Sequence, residues 1–306
     1  MSQDDQTLPT GIGAVERDTG LSKDTLRIWE RRYGFPQPGR DTNGERVYPA
    51  DQVARLHLIK RLMDAGHRPG KLLPLGQPEL ERLAAGAAPR TALTSDQSAL
   101  LEALRACDTR RLRDALTHEL MRQGLQRFVL ETVPGINEAV GEAWMRGELA
   151  IHEEHLYSEQ VQNILRHAIS VLPLRGERPR VLLTSLPGEQ HSLGLLMVEA
   201  LLAAEGAECI ALGIETPIPD VARAAAAHAA EVVALSFSAA YPAALAVDGL
   251  RELRERVPAA IAIWAGGAGI ARTRRTIPGV TLVRALADVI ALAAERRSTG
   301  HSDRAA

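Results

Sequence analysis

Apolar and polar positions follow three different rhythms along this chain. From Ile12 to Leu73 the apolar residues recur at helical spacing in short runs cut by glycine. Ile12 to Thr19 reads as a helix stopped by Gly20, and Ser22 is a natural N-cap for a second helix reaching about Arg31. Two short helices joined by a glycine-containing turn make a helix-turn-helix, whose second helix enters the DNA major groove. Asn43-Gly44, with Arg40 before it and Arg46 and Tyr48 after it, predicts a β-wing. Further helices are expected from about Pro49 to Ala65, ended by Gly66, and near Pro69 to Leu73. Trp29 is expected to pack this small core.

The second rhythm covers residues 95–175, where apolar positions keep three- and four-residue spacing throughout. Helices are expected over Ser98–Ala106, Thr109–Gln123, Leu125 to about Gly147 with a break near Pro134-Gly135, and Ala150–Leu172, which together make a four-helix bundle. The third rhythm, over 178–298, alternates apolar strand runs at 180–186, 208–213, 232–238, 259–265 and 280–283 with helical segments. That alternation predicts a doubly wound, flavodoxin- or Rossmann-like parallel sheet. The fold class is thus multidomain, α and α/β. A winged helix-turn-helix at 8–76 is followed by a linker over 77–94, where Pro74, Gly76 and Pro78 break the pattern and Ala84 to Pro89 are mostly small. No heptad run follows, which assigns self-association, as dimer or homotetramer, to the C-terminal domains. Residues 1–10 and those from Ser298 are expected to be frayed or disordered.

Composition sharpens this picture in three places. The net charge of −2 hides a basic segment: residues 12–76 carry twelve Lys and Arg against eight Asp and Glu, leaving −6 for the rest. A basic small domain on an acidic larger one fits a DNA reader joined to a module with another task. No run of about 18 apolar residues occurs and the polar start lacks a signal-peptide pattern, so a cytoplasmic protein without a membrane span is expected. Cys107 and Cys209 are isolated, so neither a zinc site nor a disulfide is suggested, and both are expected to be buried fillers.

Candidate chemistry gathers at two places. His191 lies in the turn between the first strand of the α/β module and the helix that opens near Leu193, and such turns line the ligand crevice of open α/β sheets. Imidazole suits a borderline transition metal, and the carboxylate of Glu189 two residues earlier can hold the other ring nitrogen. Gly194, Gly266 and Gly267 offer close backbone approach to a ligand, and Ser236 and Ser238 offer hydroxyls at a strand's carboxyl end. Trp144, followed after nine residues by Glu154-His155, forms the second place. An indole can cover a flat ligand and a carboxylate can accept from sugar hydroxyls. Read alone, His191 would be a structural turn residue, Trp144 a bundle-core residue and Glu154-His155 an exposed helix face.

Three resemblances bear on these readings. The run Thr25 to Phe35, with Arg46-Val47-Tyr48 and Asp51-Gln52-Val53, resembles the winged helix-turn-helix of MerR-type transcription regulators. That resemblance implies double-stranded DNA as a partner and makes Lys23, Thr25, Arg27, Arg31, Arg32, Tyr33, Arg40 and Arg46 the DNA-contact candidates; some of the arginines could instead pair with Glu30 and Asp51. Glu189-x-His191-x-x-Gly194, then Ser236 after 41 residues and Gly266-Gly267 beyond, resembles the cobalamin-binding unit of methionine synthase and corrinoid proteins, with Glu189 where many members have Asp. It implies that His191 ligates cobalt from below while the cofactor's benzimidazole tail inserts beside the sheet. Nearly the whole chain resembles the light-responsive CarH and LitR branch of MerR regulators, whose signature is Trp-x9-Glu-His. There the tryptophan and the Glu-His pair enclose the adenosyl group of adenosylcobalamin, which implies Trp144, Met145, Glu154 and His155 at the cofactor's upper face.

One residue departs from that branch. The position after the tryptophan, a histidine that takes the upper face after light in the best-known members, is Met145 here, and a thioether is a softer ligand. His152 or His155 could substitute. The function implied is a light-responsive repressor that assembles on DNA with adenosylcobalamin in the dark and is released by light. A light-indifferent cobalamin sensor and a repressor switched by a protein partner are the alternatives. An enzyme of the corrinoid methyltransferase or mutase kind is excluded, since no substrate barrel is present and a helix-turn-helix would have no role.

Overall fold

The computed structural model describes residues 10–64, 66–87, 94–173, 177–271, 273 and 276–302. The chain forms two compact units, Met1–Thr91 with Gly141–Glu148, and Ala92–Val140 with Leu149–Ala306. The frayed ends expected before Thr10 and after Ser302 lie outside the described residues.

In the first unit β1 (Thr10–Gly11) leads into α1 (Ile12–Thr19) and α2 (Lys23–Tyr33). Gly20 ends α1 at φ +68°, donating its amide to the Glu16 carbonyl, and the Ser22 hydroxyl caps α2 by accepting the Thr25 amide at 3.1 Å. β2 (Gly39–Arg40) and β3 (Arg46–Tyr48) form the wing with β1 in the antiparallel order β1-β3-β2. The wing tip is a five-residue loop in which the Asp41 carboxylate accepts the amides of Asn43 and Glu45. α3 (Ala50–Asp64), α4 (Pro69–Leu72) and α5 (Gln77–Ala87) complete the unit. Val15, Leu26, Trp29, Tyr48, Leu56, Ile59, Leu62 and Leu80 are buried in its core.

Helix α5 corrects the linker expected over 77–94. Pro78 sits in the first turn, where its missing amide hydrogen costs no helical bond, and the Glu79 carboxylate accepts the Gly76 amide. Leu80 and Ala84, four residues apart, are buried, so Ala84 serves packing. Residues 88–93 lie outside the described ones.

The second unit begins with α6 (Ser95–Arg105), whose Thr94 and Gln97 form a reciprocal capping box, and α7 (Thr109–Gln123). α8 (Leu125–Arg127), a π-helical turn over Phe128–Thr132 and α9 (Val133–Met145) then run on from one another. The break expected near Pro134 takes the form of that π turn, which lies just ahead of the residue that has no amide hydrogen to donate. α10 (Ile151–Ser170) closes the bundle, with Tyr157 buried and its hydroxyl donating to Asn137 Oδ1 at 2.6 Å.

The sheet follows as β4 (Glu177–Thr184), α11 (Leu193–Ala204), β5 (Ala207–Gly213), α12 (Ile218–Ala227), β6 (Val232–Ser236), α13 (Ala243–Arg256), β7 (Ala262–Gly266), α14 (Ala268–Ala271), β8 (Val280–Val283) and α15 (Asp288–Ser302). All five strands are parallel in the order β5-β4-β6-β7-β8. The chain winds outward from β4 to β5, then crosses to β6 on the other side. The order therefore reverses between β4 and β6, which opens a crevice at their carboxyl ends. α15 runs through Ser302, past the Ser298 at which disorder was expected, with Val289 and Ala293 buried against the sheet. No helix among the described residues is long and apolar enough to cross a membrane.

Candidate functional site

His191 stands at that crevice, on the loop that joins β4 to α11. The loop is pinned from below. Ser185, buried at the end of β4, donates its hydroxyl to the Glu189 carbonyl at 2.8 Å and accepts the Glu215 amide at 2.9 Å. The Glu215 carboxylate accepts the Gly188 amide at 3.1 Å, and Gly188 takes φ +87° at the turn. These contacts aim Glu189 inward, where it is only 1% exposed.

The Glu189 carboxylate organises the crevice. Oε1 accepts the His191 amide at 2.9 Å and lies 2.7 Å from His191 Nδ1, while Oε2 accepts the Ser238 amide from the far side at 2.7 Å. Burial by itself pushes this carboxyl upward, but the His191 ring, the His191 amide and the Ser238 amide together outweigh it and hold it below its ordinary value. The acid is therefore ionised, and it orients an imidazole whose side chain remains 58% exposed. With Nδ1 engaged, Nε2 is the nitrogen a metal ion would take. Ser192, the next residue, donates to Gln162 on α10 at 3.1 Å, which ties the loop to the bundle.

The other residues expected here surround this carboxylate. Ser236 closes β6, and Ser238 Oγ is buried beside the Glu189 carboxylate, close enough to help hold it ionised but without a hydrogen bond of good geometry. An oriented imidazole beside a buried hydroxyl fits a metal-bearing ligand with a polar appendage, which is the donor set a corrinoid needs. The glycines work differently from the expectation that they admit a ligand. A Cβ on Gly194 would lie 2.6 Å from Ser236 Oγ, one on Gly266 would meet Val283, and one on Gly267 would overlap the Phe237 carbonyl. The closeness they allow is to protein. Gly269, which the sequence reading did not single out, does the same against the Ser238 carbonyl.

The second set of residues is divided. Glu154 and His155 are on α10, with His155 Nδ1 2.8 Å from Glu154 Oε2 and the Ser158 hydroxyl donating to Glu154 Oε1 at 2.6 Å. Glu154, Ser158 and Gln162 recur every four residues along one stripe of α10, and the Gln162 end of that stripe meets the His191 loop through Ser192. Trp144 belongs instead to the first unit, half-buried against its core. Arg61 of α3 donates to the Trp144 carbonyl at 3.1 Å and stands 5.8 Å from the indole centroid. Met145 ends α9, and its side chain lies outside the described ones. His152 Nε2 lies 3.8 Å from Cys107 Sγ. Cys107 is exposed, a correction to the expectation of a buried filler: it sits at φ +50° in the turn between α6 and α7. Cys209 is half-buried, and burial pushes its thiol up to about 12.

Of the DNA-contact candidates, Lys23, Arg27, Arg31, Arg32 and Arg40 are exposed, whereas Thr25, Tyr33 and Arg46 are half-buried, Tyr33 against the core. Leu26 and Trp29 point α2 into the core, which turns Lys23, Arg27 and Arg31 outward with Arg32. Several are already oriented by neighbours. Lys23 pairs with Glu16 at 3.5 Å, Arg27 with Asp24 at 3.3 Å and Arg46 with Glu30 at 2.9 Å, while Arg40 donates to the Gly44 carbonyl at 2.6 Å. Arg32 lies over the Tyr33 ring at 5.3 Å. Thr25 is half-buried and engaged with Ser22 in the cap. The exposed pairs of Lys23 and Arg27 are weak, so phosphates can displace their carboxylates, whereas the Arg46–Glu30 pair is partly buried.

Comparison with known proteins gives matching domains in the same order. Residues 11–71 match the MerR HTH family of regulatory proteins, and residues 97–169 and 179–295 each match a B12 binding domain. The chain is 33% identical over 265 residues to the HTH-type transcriptional repressor CarH of Myxococcus xanthus, covering 84% of this chain and 88% of that protein. It is 32% identical over 237 residues to CarA, another HTH-type transcriptional repressor of the same organism, covering 74% and 75%. Among solved structures, the monomethylamine corrinoid protein of Methanosarcina barkeri superposes with a TM-score of 0.53 at 16% identity, over 64% of this chain and 95% of that one, a likeness of fold.

Proposed function

The chain belongs to the family of cobalamin-binding, MerR-type transcriptional repressors that includes CarH and CarA, and from that premise we propose that it is a light-responsive repressor. It is a DNA-binding regulator and not an enzyme. The form of the cofactor is adenosylcobalamin, and His191 is its lower cobalt ligand. The observation that carries this reading is the buried Glu189 carboxylate, which fixes the His191 imidazole at the switch point of the sheet while keeping the ring exposed. Ser236 and Ser238 would face the cofactor's displaced tail beside the sheet, and Gly194, Gly266 and Gly267 let the protein around them close up.

Glu154 and His155 are assigned to the upper face. One helix carries both ends of the site: Glu154 and Gln162 are eight residues apart, about 12 Å along the axis of α10. Were a corrinoid held by His191, Glu154 would stand on the same helix as the Gln162 that anchors the His191 loop. Trp144 and Met145 are assigned to the same face on their spacing to Glu154-His155 alone. When bound, adenosylcobalamin supplies a cobalt–carbon bond that visible light breaks. The protein's own part is to hold the lower nitrogen rigidly and to grip the adenosyl group from α10, so that loss of that group changes how the C-terminal domains pair. A ligand that binds the assembled state more tightly shifts the population toward it, and two or more DNA-binding units then gain affinity by avidity. The protein acts in the cytoplasm, as a dimer or tetramer.

Size-exclusion chromatography of the protein with adenosylcobalamin, in the dark and after illumination, tests the proposal. Corrin eluting with a large species in the dark and with a smaller one after light is the expected result. Met145 favours a second reading, a cobalamin sensor indifferent to light, which corrin binding without a change of size would support. Absence of bound corrin overturns both.

A further inference from the structure

Helix α2 carries one residue that a purely phosphate-binding surface would not select. With Leu26 and Trp29 buried, its outward stripe is Asp24, Arg27, Ile28 and Arg31, at the i, i+3, i+4, i+7 spacing of a single helix face. Ile28 is 46% exposed in the middle of that stripe, and no other large hydrophobic residue described in the N-terminal unit is as exposed. A β-branched residue is a weaker helix former than lysine or glutamate, and its exposed apolar surface stabilises nothing in the folded unit. Its rigid side chain does suit a contact made outside the molecule.

The setting identifies that contact. Ile28 lies between Arg27 and Arg31, both exposed and cationic, and Asp24 holds Arg27 to one side at 3.3 Å. A helix that enters the major groove meets base edges made of hydrogen-bond donors and acceptors, and the one apolar group displayed there is the thymine 5-methyl. We propose that Ile28 is a specificity residue that reads thymine in each operator half-site by packing against that methyl, with Arg27 and Arg31 setting the register on the backbone. The inference rests on DNA binding by the N-terminal unit and not on the light response.

Deoxyuridine tests it, because it removes the methyl and leaves every hydrogen-bonding group in place. The full-length protein selects its preferred duplex from a randomised pool, with adenosylcobalamin in the dark; a duplex recovered without cobalamin serves equally, so failure of the photoreceptor reading leaves this test intact. Each thymine is then replaced in turn by deoxyuridine, and affinity is measured for the wild type and for Ile28→Ala. One thymine per half-site is expected to weaken wild-type binding about fourfold when replaced, the worth of one buried methyl, and to have no effect in Ile28→Ala. Ile28→Ala is expected to keep wild-type affinity and salt dependence on a scrambled duplex, which shows that the backbone contacts survive. A deoxyuridine effect that persists unchanged in Ile28→Ala, or no sensitive thymine at all, overturns the proposal.

Discussion

The molecule contains two Glu–His pairs of nearly equal hydrogen-bond length in opposite surroundings. Glu189 and His191 meet at 2.7 Å and Glu154 and His155 at 2.8 Å. Glu189 is buried and also receives two backbone amides, whereas Glu154 is 33% exposed and receives one further donor, the Ser158 hydroxyl. His191 is anchored through its own amide as well as its ring; His155 stands 71% exposed on a helix surface. The first pair is held from several sides in buried surroundings, and the second stands open to solvent with fewer partners. The proposed division of labour, a fixed lower ligand and an upper face that exchanges its group, would draw on this difference.

The largest expected effect comes from the rigid pair. His191→Ala removes the proposed metal ligand and is expected to weaken adenosylcobalamin binding by at least about 100-fold, more than the usual cost of losing an outer-shell partner. Equilibrium dialysis with corrin absorbance measures it. His155→Ala should cost less than about tenfold. Equal losses would abolish the distinction between the pairs.

Glu189→Gln comes next, with a loss of about 10- to 100-fold in affinity, because the imidazole loses the charge that fixes its tautomer. The same variant reads out pH. The folded-state value of Glu189 lies below its unfolded value, so as pH falls the unfolded chain takes up the proton first. The stability that this carboxylate contributes is fully present above the unfolded value, near 4.3, and drains away as pH falls through the folded one. Denaturant midpoints between pH 7 and pH 3 should therefore fall more steeply for the wild type than for Glu189→Gln. Parallel curves would place the carboxylate outside the energetics of folding.

How much of this was legible depended on the range of the interaction. The five strands and the His191 turn could be read because a buried parallel strand is a run such as Val181-Leu182-Leu183, and a glycine-bearing turn before an apolar helix has few alternatives. Glu189 could be read because its partner is two residues away. Ser185, Glu215 and Gln162, which fix the same loop, carry no local signal, since their partners are four to thirty residues distant. Gln162 had one trace, its spacing of eight from Glu154 on a helix. α5 was missed because Pro78 and small alanines read as linker until Leu80 is seen buried. The Arg61–Trp144 contact spans 83 residues, and nothing in either neighbourhood announces it.

The exposed pair gives the smaller and more discriminating effects. Glu154→Gln keeps the size of the side chain but removes its charge, so hydrogen bonds from ribose hydroxyls weaken without loss of packing. A several-fold loss of adenosylcobalamin affinity is expected, with little change for methylcobalamin, which lacks the adenosyl group and its ribose; equal losses for the two would take Glu154 away from the adenosyl group. Ser158→Ala sits one step further out. It deletes a single hydrogen bond to a carboxylate that is partly solvated, for which water can substitute, and about 1 kcal/mol is the upper range of such a loss. Adenosylcobalamin affinity should fall by no more than about fivefold, and corrin absorbance in the dark should be unchanged. The corresponding deletion on the buried side, Ser185→Ala, leaves the Glu215 amide and the Glu189 carbonyl without their shared, fully buried partner. If Ser185→Ala proved as mild as Ser158→Ala, the rigidity assigned to the lower pair would have to come from Glu189 alone, and the loop beneath it would be a passive support.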